Sequence, residues 1–449
     1  MSARRGTGAL LDLADPGLLA EAARRPWTDP AAFWPALTAA TADRPAPLAV
    51  VSAAALAHNA HDVRRRVLAG ARARAHSESP GPGAPGDRRD AAVPTIRVGS
   101  KSVRTRGLLD AVLALNGYAG VFGYTLAEAL HLHAHGVDDV VVGYPTADAE
   151  AIARLCADEA AAAAITVMID DVAQLDLIDA VRPAGRRPDL AVCLDLDLSL
   201  DLPGPLPRVG VWRSPLRTPE QVRALAEAVT RRAGFTVTGL LGYEAQIAGV
   251  PDRPANRARG LVVRRLQTTS RHDVADRRAR AVDLVRAVAP LRFVNGGGSG
   301  SVESTAADPS VTEVTVGSAL TGPRLFDAYA AFTPAPATAF ALDVVRNPSA
   351  GRATLLGGGW IASGPPADDR QPTVVWPAGA RFEPLEGAGE VQTPLRVPAG
   401  ASLTPGDRVW LRHAKGGELA EHVNEYLVVD GGRVRDAWPT YRGDGMAFL

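Results

Sequence analysis

The sequence predicts an α/β protein, a (β/α)8 barrel followed by a C-terminal all-β domain. Three observations lead there. From Thr95 onward, short apolar runs at 95–99, 119–122, 139–143, 165–169, 190–196, 236–241, 291–295 and 312–316 alternate with helical patterns. Strands that alternate with helices pair in parallel through crossovers, and eight is the number that closes the barrel. Beyond about Tyr329 the helical rhythm stops. Runs at 339–346, 353–357, 373–376, 408–411, 425–429 and 434–437 are then separated by Gly and Pro, with Asp430-Gly431-Gly432 as a hairpin signal between the last two.

The first 45 residues read as a helical packing arm. Helical patterns cover 17–23 and 30–41, the second behind Asp29 as N-cap. The run 48–51 is a short strand outside the eight, left free to join another sheet. Ser52 opens a helix expected to end near Leu68. Residues 71–91 change character. Pro, Gly and Ser dominate 77–86, Arg88, Arg89 and Asp90 follow, and the stretch reads as a mobile surface insertion. Within the barrel, the helical patterns 125–135 and 219–233 stop at Gly136 and Gly234. The expected domains are an arm at 1–45, a barrel at 46–328 with the insertion at 71–91, and a β domain at 329–449.

Composition narrows the function. Lys plus Arg number 49 and Asp plus Glu number 49, so the formal net charge is zero. Neither a nucleic acid nor an anionic membrane is an expected partner. Cys156 and Cys193 lie in apolar surroundings and form no motif, which fits a reducing, cytoplasmic setting. The apolar run 10–13 is interrupted by Asp12 and is too short for a signal sequence or a membrane span.

Barrel chemistry belongs at the C-terminal ends of the strands. Lys101 follows the first strand, in Val98-Gly99-Ser100-Lys101, and Tyr144 follows the third. Asp195 and Asp197 close the fifth, and Gly242-Tyr243-Glu244 follows the sixth. Asn295 to Ser301, with Gly296, Gly297, Gly298, Ser299 and Gly300, follows the seventh, and Gly317-Ser318 the eighth. A lysine at the end of a buried strand has a lowered pKa and becomes a nucleophile toward aldehydes. Glycine-rich loops wrap a phosphate with backbone N–H groups, and in barrels that site follows strands seven and eight. The loop is neither a Walker loop, because no Gly-Lys-Ser/Thr follows, nor a dinucleotide fingerprint. A ligand carrying both an aldehyde and a phosphate answers this pattern, and pyridoxal phosphate is one.

The ordered set Val98 to Lys101, Gly123-Tyr124-Thr125-Leu126-Ala127-Glu128-Ala129, Gly242-Tyr243-Glu244, Gly296 to Ser301 and Gly317-Ser318 resembles the fold-type III pyridoxal-phosphate enzymes, the group that includes alanine racemase. Within it, the chain is most similar to the D-threonine aldolase and D-serine dehydratase branch, over roughly residues 46–449. The resemblance implies that Lys101 carries the cofactor covalently and that Gly298, Ser299, Gly300, Gly317 and Ser318 hold its phosphate. It places Tyr243 near the pyridine ring, with Arg213 approaching the ring or the substrate carboxylate, and it implies a homodimer.

In that branch a histidine followed after one residue by Cys or Asp binds a divalent metal. Here Arg412-His413-Ala414-Lys415 puts a lysine in the second position, and a protonated lysine cannot coordinate. No metal is therefore assigned. Arg412 and Lys415 are expected to lower the His413 pKa and to attract a substrate carboxylate instead. Lys101, His413 and Tyr243 are the catalytic candidates. The implied activity is that of a lyase on a β-hydroxy amino acid, the D enantiomer in that branch, by retro-aldol cleavage or β-elimination. Two alternatives stay open, an amino-acid racemase and a non-catalytic pyridoxal-phosphate-binding protein.

Overall fold

The computed structural model describes residues 10–77, 93–202, 208–254, 256–365 and 367–449. Most of the insertion expected at 71–91 lies outside the described residues. Its beginning continues the helix Ala53–Ser77, which runs past the expected stop near Leu68. Alanine and arginine there are good helix formers and nothing breaks the turn.

The first strand, β1 (Leu48–Ser52), stands apart from the barrel, as its place in the sequence suggests. Among the described residues, eight parallel strands close the barrel: β2 (Thr95–Gly99), β3 (Tyr118–Gly123), β4 (Val140–Val142), β5 (Ile165–Ile169), β6 (Leu190–Asp197), β7 (Phe235–Tyr243), β8 (Phe293–Gly296) and β9 (Glu313–Val316). Closure comes from β2 pairing with β9, Thr95 opposite Glu313 and Val98 opposite Val316. The interior carries an apolar layer of Val141, Met168, Cys193, Leu241 and Phe293, with Phe122 against it.

Near the N-terminal end of the strands the interior is ionic. Arg97 on β2 is almost fully buried and donates to both carboxylate oxygens of Glu313 on β9, at 2.8 and 2.9 Å. A further bond of 2.9 Å reaches Asp139, and Asn295 donates to Glu313 at 2.8 Å. Charges this deep are tolerable only because each lone pair and N–H finds a partner.

The remaining strands are β10 (Thr338–Arg346), β11 (Arg352–Leu356), β12 (Thr373–Trp376), β13 (Arg381–Phe382), β14 (Gln392–Arg396), β15 (Arg408–Arg412), β16 (Glu425–Asp430) and β17 (Arg433–Pro439). They form a sheet of order β13-β14-β11-β10-β1-β16-β17, with β15 pairing β10 and β12. β1 enters between β10, antiparallel, and β16, parallel. The arm helices Pro16–Arg24 and Pro30–Ala40 start with Asp15 and Asp29 as caps. Phe33, Trp34 and Leu37 of the second pack with Leu48, Val50, Ala339, Trp410 and Leu427. The strands β13 and β14 have no counterpart in the sequence reading. Pro394 lies inside β14, and its carbonyl accepts from the Glu383 amide.

The chain divides into two compact units. One holds the residues up to Asp62, Lys101–Leu115 and Gly317–Ala447, and the other holds Val63–Ser100, Asn116–Val316 and Phe448–Leu449.

Replacing Glu313 by Ala strands a buried guanidinium with half its partners. The variant should lose on the order of 3 kcal/mol of unfolding free energy in urea titrations. A loss below about 1 kcal/mol would mean that Asp139 alone satisfies Arg97.

Candidate active site

Alternation along the barrel strands decides which side chains reach the mouth. Met168, Cys193 and Leu241 face the interior, so the residues two further on, Asp170, Asp195 and Tyr243, point the same way. Asp195 is pushed up to about 7, by burial first and then by Asp170, with Arg213 opposing. The Arg213 guanidinium sits 5.7 Å from the Tyr144 ring centroid and 5.5 Å from that of Tyr243, which gathers three aromatic and cationic groups at the ends of β4 to β7. Burial pushes the Tyr243 phenol up to about 12, with Arg213 again opposing, so its hydroxyl keeps its proton at neutral pH.

The glycine-rich loop follows β8 in the same unit. Gly297 has φ +83°, a left-handed backbone that glycine adopts without strain. A Cβ on Gly298 would lie 3.0 Å from the Ala248 methyl and 3.4 Å from the Tyr243 ring, so the tyrosine covers a bare stretch of backbone. Ser299 is buried, and its carbonyl accepts from Arg66 at 3.0 Å. Ser301 caps the short helix Val302–Ala306 without a side-chain cap bond.

The other unit assembles a second set of groups. The strand ends at Gly99, and the turn Ser100–Ser102 carries Lys101 into an exposed position rather than the buried one expected. The Lys101 carbonyl accepts from Arg104 at 3.0 Å. Gly417, at φ +90°, lies so close that a Cβ there would meet that carbonyl oxygen at 1.8 Å. A Cβ on Gly416 would be 3.1 Å from the Ser318 hydroxyl, which itself pairs with Ser102 at 3.0 Å. Lys101, Ser318 and the segment 413–417 are thus brought together. Gly317 leads into the helix Ser318–Thr321, again without a side-chain cap bond.

His413 is buried, with Nε2 3.4 Å from the Thr338 hydroxyl and Nδ1 without a hydrogen-bond partner among the described residues. Its pKa is lowered to about 3, chiefly by burial and then by Arg412. The expected lowering is present and Arg412 is one of its causes, but burial is the larger one and Lys415 is not among them. Nor does either cation stand ready for a carboxylate. Arg412 is bound by both oxygens of Asp327, at 2.8 and 2.9 Å, and donates to the Gly322 carbonyl at 2.7 Å. The Lys415 ammonium donates to the Ser363 carbonyl at 2.6 Å and hydroxyl at 3.2 Å, while Glu418 accepts from the Ser363 amide. His413, Lys415, Glu418, Leu419, Trp360 and His422 line a recess, with His422 stacked on Trp360 at 5.0 Å.

Two ligand classes can be tested against these residues. For a phosphate-bearing cofactor the fit is good. In the barrel unit a glycine kept bare beneath a tyrosine ring and the Ser299 hydroxyl suit an oxyanion, and in the other unit Gly317 and the Ser318 hydroxyl, at the start of a helical turn without a side-chain cap bond, suit one as well. For a divalent metal beside His413 the fit is poor. The ammonium of Lys415 has no lone pair to give while it donates to Ser363. Among the described residues, no group of three or more His, Cys, Asp and Glu side chains could hold a metal ion.

A closed parallel barrel with a lysine just past one strand and glycine loops past two others defines the fold-type III pyridoxal-phosphate class. The chain belongs to the family of the alanine racemase N-terminal domain, whose profile matches residues 93–324. Solved structures share the fold across both domains. The D-threonine aldolase from Filomicrobium marinum is 18% identical, with 90% of this chain and 96% of that one covered at a TM-score of 0.68. The D-threo-3-hydroxyaspartate dehydratase from Delftia sp. HT23 is 18% identical, with 88% and 97% covered at 0.63. An alanine racemase from Clostridium difficile 630, in complex with cycloserine, is 12% identical, with 86% and 96% covered at 0.54. No curated protein sequence matches at a significant level.

Asp195 and Glu244 were seen in the sequence as rim residues but not as site residues. Strand alternation from Cys193 would have found the first. Nothing local marks the second, because its partners lie more than thirty residues away.

His413 binds its proton more weakly folded, at about 3, than unfolded, at 6.5. The unfolded chain therefore holds more protons between those values, and stability falls as pH drops from 6.5 toward 3. His413→Gln should remove part of that slope, so the variant should gain on wild type from pH 7 to pH 4 in urea midpoints. An unchanged slope would mean that the imidazole is not sequestered.

Proposed function

We propose that the protein is a pyridoxal-phosphate-dependent lyase that cleaves a β-hydroxy amino acid, by retro-aldol reaction or β-elimination. The observation that carries this reading is the seating of Gly416-Gly417 on the backbone of Lys101, which joins a buried, uncharged histidine segment to the lysine. A carrier of the cofactor needs the lysine and the phosphate loop but has no use for such a segment. The names of the aldolase and the dehydratase that share the fold also describe reactions on β-hydroxy D-amino acids.

In this reading Lys101 binds the cofactor covalently. Ser299, Gly300, Gly317 and Ser318 hold its phosphate, with Gly298 kept bare beside them. When bound, the cofactor supplies an electron sink for bond cleavage next to the amino-bearing carbon. Tyr243 covers the ring with its hydroxyl protonated, and Arg213 supplies fixed positive charge beside it. The Lys101 amine, once displaced by substrate, serves as the base on its own face. His413 is held neutral; in a retro-aldol cleavage its Nδ1 would accept the β-hydroxyl proton and pass it on to solvent while the α-carbon takes a proton back, and in a β-elimination it would orient the hydroxyl while a proton from solvent lets it leave as water. No step in this scheme runs through a metal.

A screen of D- and L-β-hydroxy amino acids with product identification tests the reading. An aldehyde plus glycine marks the aldolase, and a keto acid plus ammonia marks the dehydratase. Interconversion of enantiomers alone would make the protein a racemase, and no turnover would make it a binding protein. Lys101→Ala should abolish the borohydride-reducible absorbance of the purified protein. If the band persists, another lysine carries the cofactor. His413→Gln should reduce turnover by about 10²–10⁴-fold while leaving that band intact, and dialysis against a chelator should leave activity mostly unchanged. Loss on chelation with recovery on adding a divalent cation would overturn the metal-free scheme.

A further inference from the structure

We infer that Glu244 is a positioning residue for the phosphate loop, acting with Arg278 to hold Gly297–Ser301 in its anion-binding shape. The inference rests on the cofactor reading above and adds residues that reading does not use.

Glu244 follows Tyr243 at the end of β7. It stands as N-cap of the short helix Ala245–Ala248, yet its side chain makes no cap bond. The carboxylate is buried and turned toward the loop after β8 instead. Oε2 accepts from the Gly297 amide at 3.1 Å and from Arg278 at 2.8 Å. Oε1 accepts from the Ser301 hydroxyl at 3.2 Å and from the Thr305 hydroxyl. Ser301 Oγ in turn accepts from the Gly298 amide at 3.2 Å. One carboxylate therefore pins both flanks of the Ser299–Gly300 span.

Arg278, on the helix Arg257–Arg286, completes the device. It is almost fully buried, donates to the Gly242 carbonyl at 3.0 Å and pairs with Asp308 at 2.6 Å. It thus ties the end of β7 to the residues just past the helix Val302–Ala306.

Two effects oppose each other. An anion near the loop repels a phosphate, but the guanidinium on the same oxygen offsets that charge. The four donors gathered by the carboxylate would lose their geometry without it, and a buried network broken at its centre leaves donors unsatisfied. Geometry therefore outweighs repulsion.

The test uses the full chain freed of cofactor and titrates pyridoxal phosphate and pyridoxal separately, read by the reducible absorbance. Pyridoxal lacks the phosphate and reports every contribution except the loop's. Glu244→Ala should weaken pyridoxal phosphate by at least about tenfold and pyridoxal by less than about twofold. Glu244→Gln should stay within about threefold of wild type for both. Its amide oxygen can still accept from Gly297 and Arg278, and its amide nitrogen can donate to hydroxyls free to rotate. An unchanged or raised preference for the phosphate in Glu244→Ala overturns the inference. So does a uniform loss for both ligands, which would mark a merely structural role. If Glu244→Ala does not fold, Ser301→Ala is read in its place. A selective loss of pyridoxal phosphate supports the inference and an unchanged ratio sinks it. A wild-type chain that develops no band with pyridoxal phosphate would instead refute the cofactor reading itself.

Discussion

The pairing of β2 with β9 is the contact on which the rest of the barrel depends. It turns an open run of strands into a closed ring, and it sets the strand that ends before Lys101 next to the strand that ends before Gly317. The seam is sealed from inside by Arg97 and Glu313, one on each strand. Apolar side chains could close a ring too, but they would tolerate a slipped register. A bidentate ion pair with Asp139 and Asn295 attached is satisfied in one register only. The glycine loop that begins at the end of β8, in the same unit and next to β9, inherits that constraint.

The surroundings of His413 follow from a different use of charge. Both neighbouring cations are engaged, Arg412 with Asp327 and Lys415 with Ser363, so their charge organises the protein's own backbone. What lowers the imidazole's pKa is chiefly the loss of water. The glycine pair 416–417 lets this segment lie against the turn that holds Lys101, where any side chain at 417 would collide with a carbonyl oxygen. Burial of the histidine and closeness to the lysine are thus set by packing, and the formal charge of the flanking residues is incidental.

Much of the fold was legible because its signals are local. Eight apolar runs separated by helical patterns declare themselves, and the run at 48–51 was visibly a strand without a place in the ring. The strand β14 was not read from the sequence; it contains Pro394, and proline's missing donor matters only where the partner strand needs it, which sequence does not reveal. Lys101 was placed correctly along the chain, but its exposure depends on where the strand yields to a turn, a matter of one residue. The roles of Glu244 and Arg278 were illegible, since a glutamate after a tyrosine and an arginine in a basic helix look like surface residues until the barrel brings them together.

Burial acts in opposite directions on the two titratable groups that stand out. It strips the proton from His413 and favours keeping it on Asp195, which is pushed up to about 7. Each unit, taken by itself, presents a group whose charge has been suppressed rather than exploited. In the barrel unit, positive character is left to Arg213, facing two tyrosine rings, and to the backbone of a glycine loop braced from below. A flat aromatic ligand with a terminal dianion matches that distribution, because its ring meets aromatic and guanidinium surface while its charge meets oriented amides. That match rests on ring, guanidinium and backbone amide groups of the barrel unit, so it is an argument for the cofactor that is independent of the lysine.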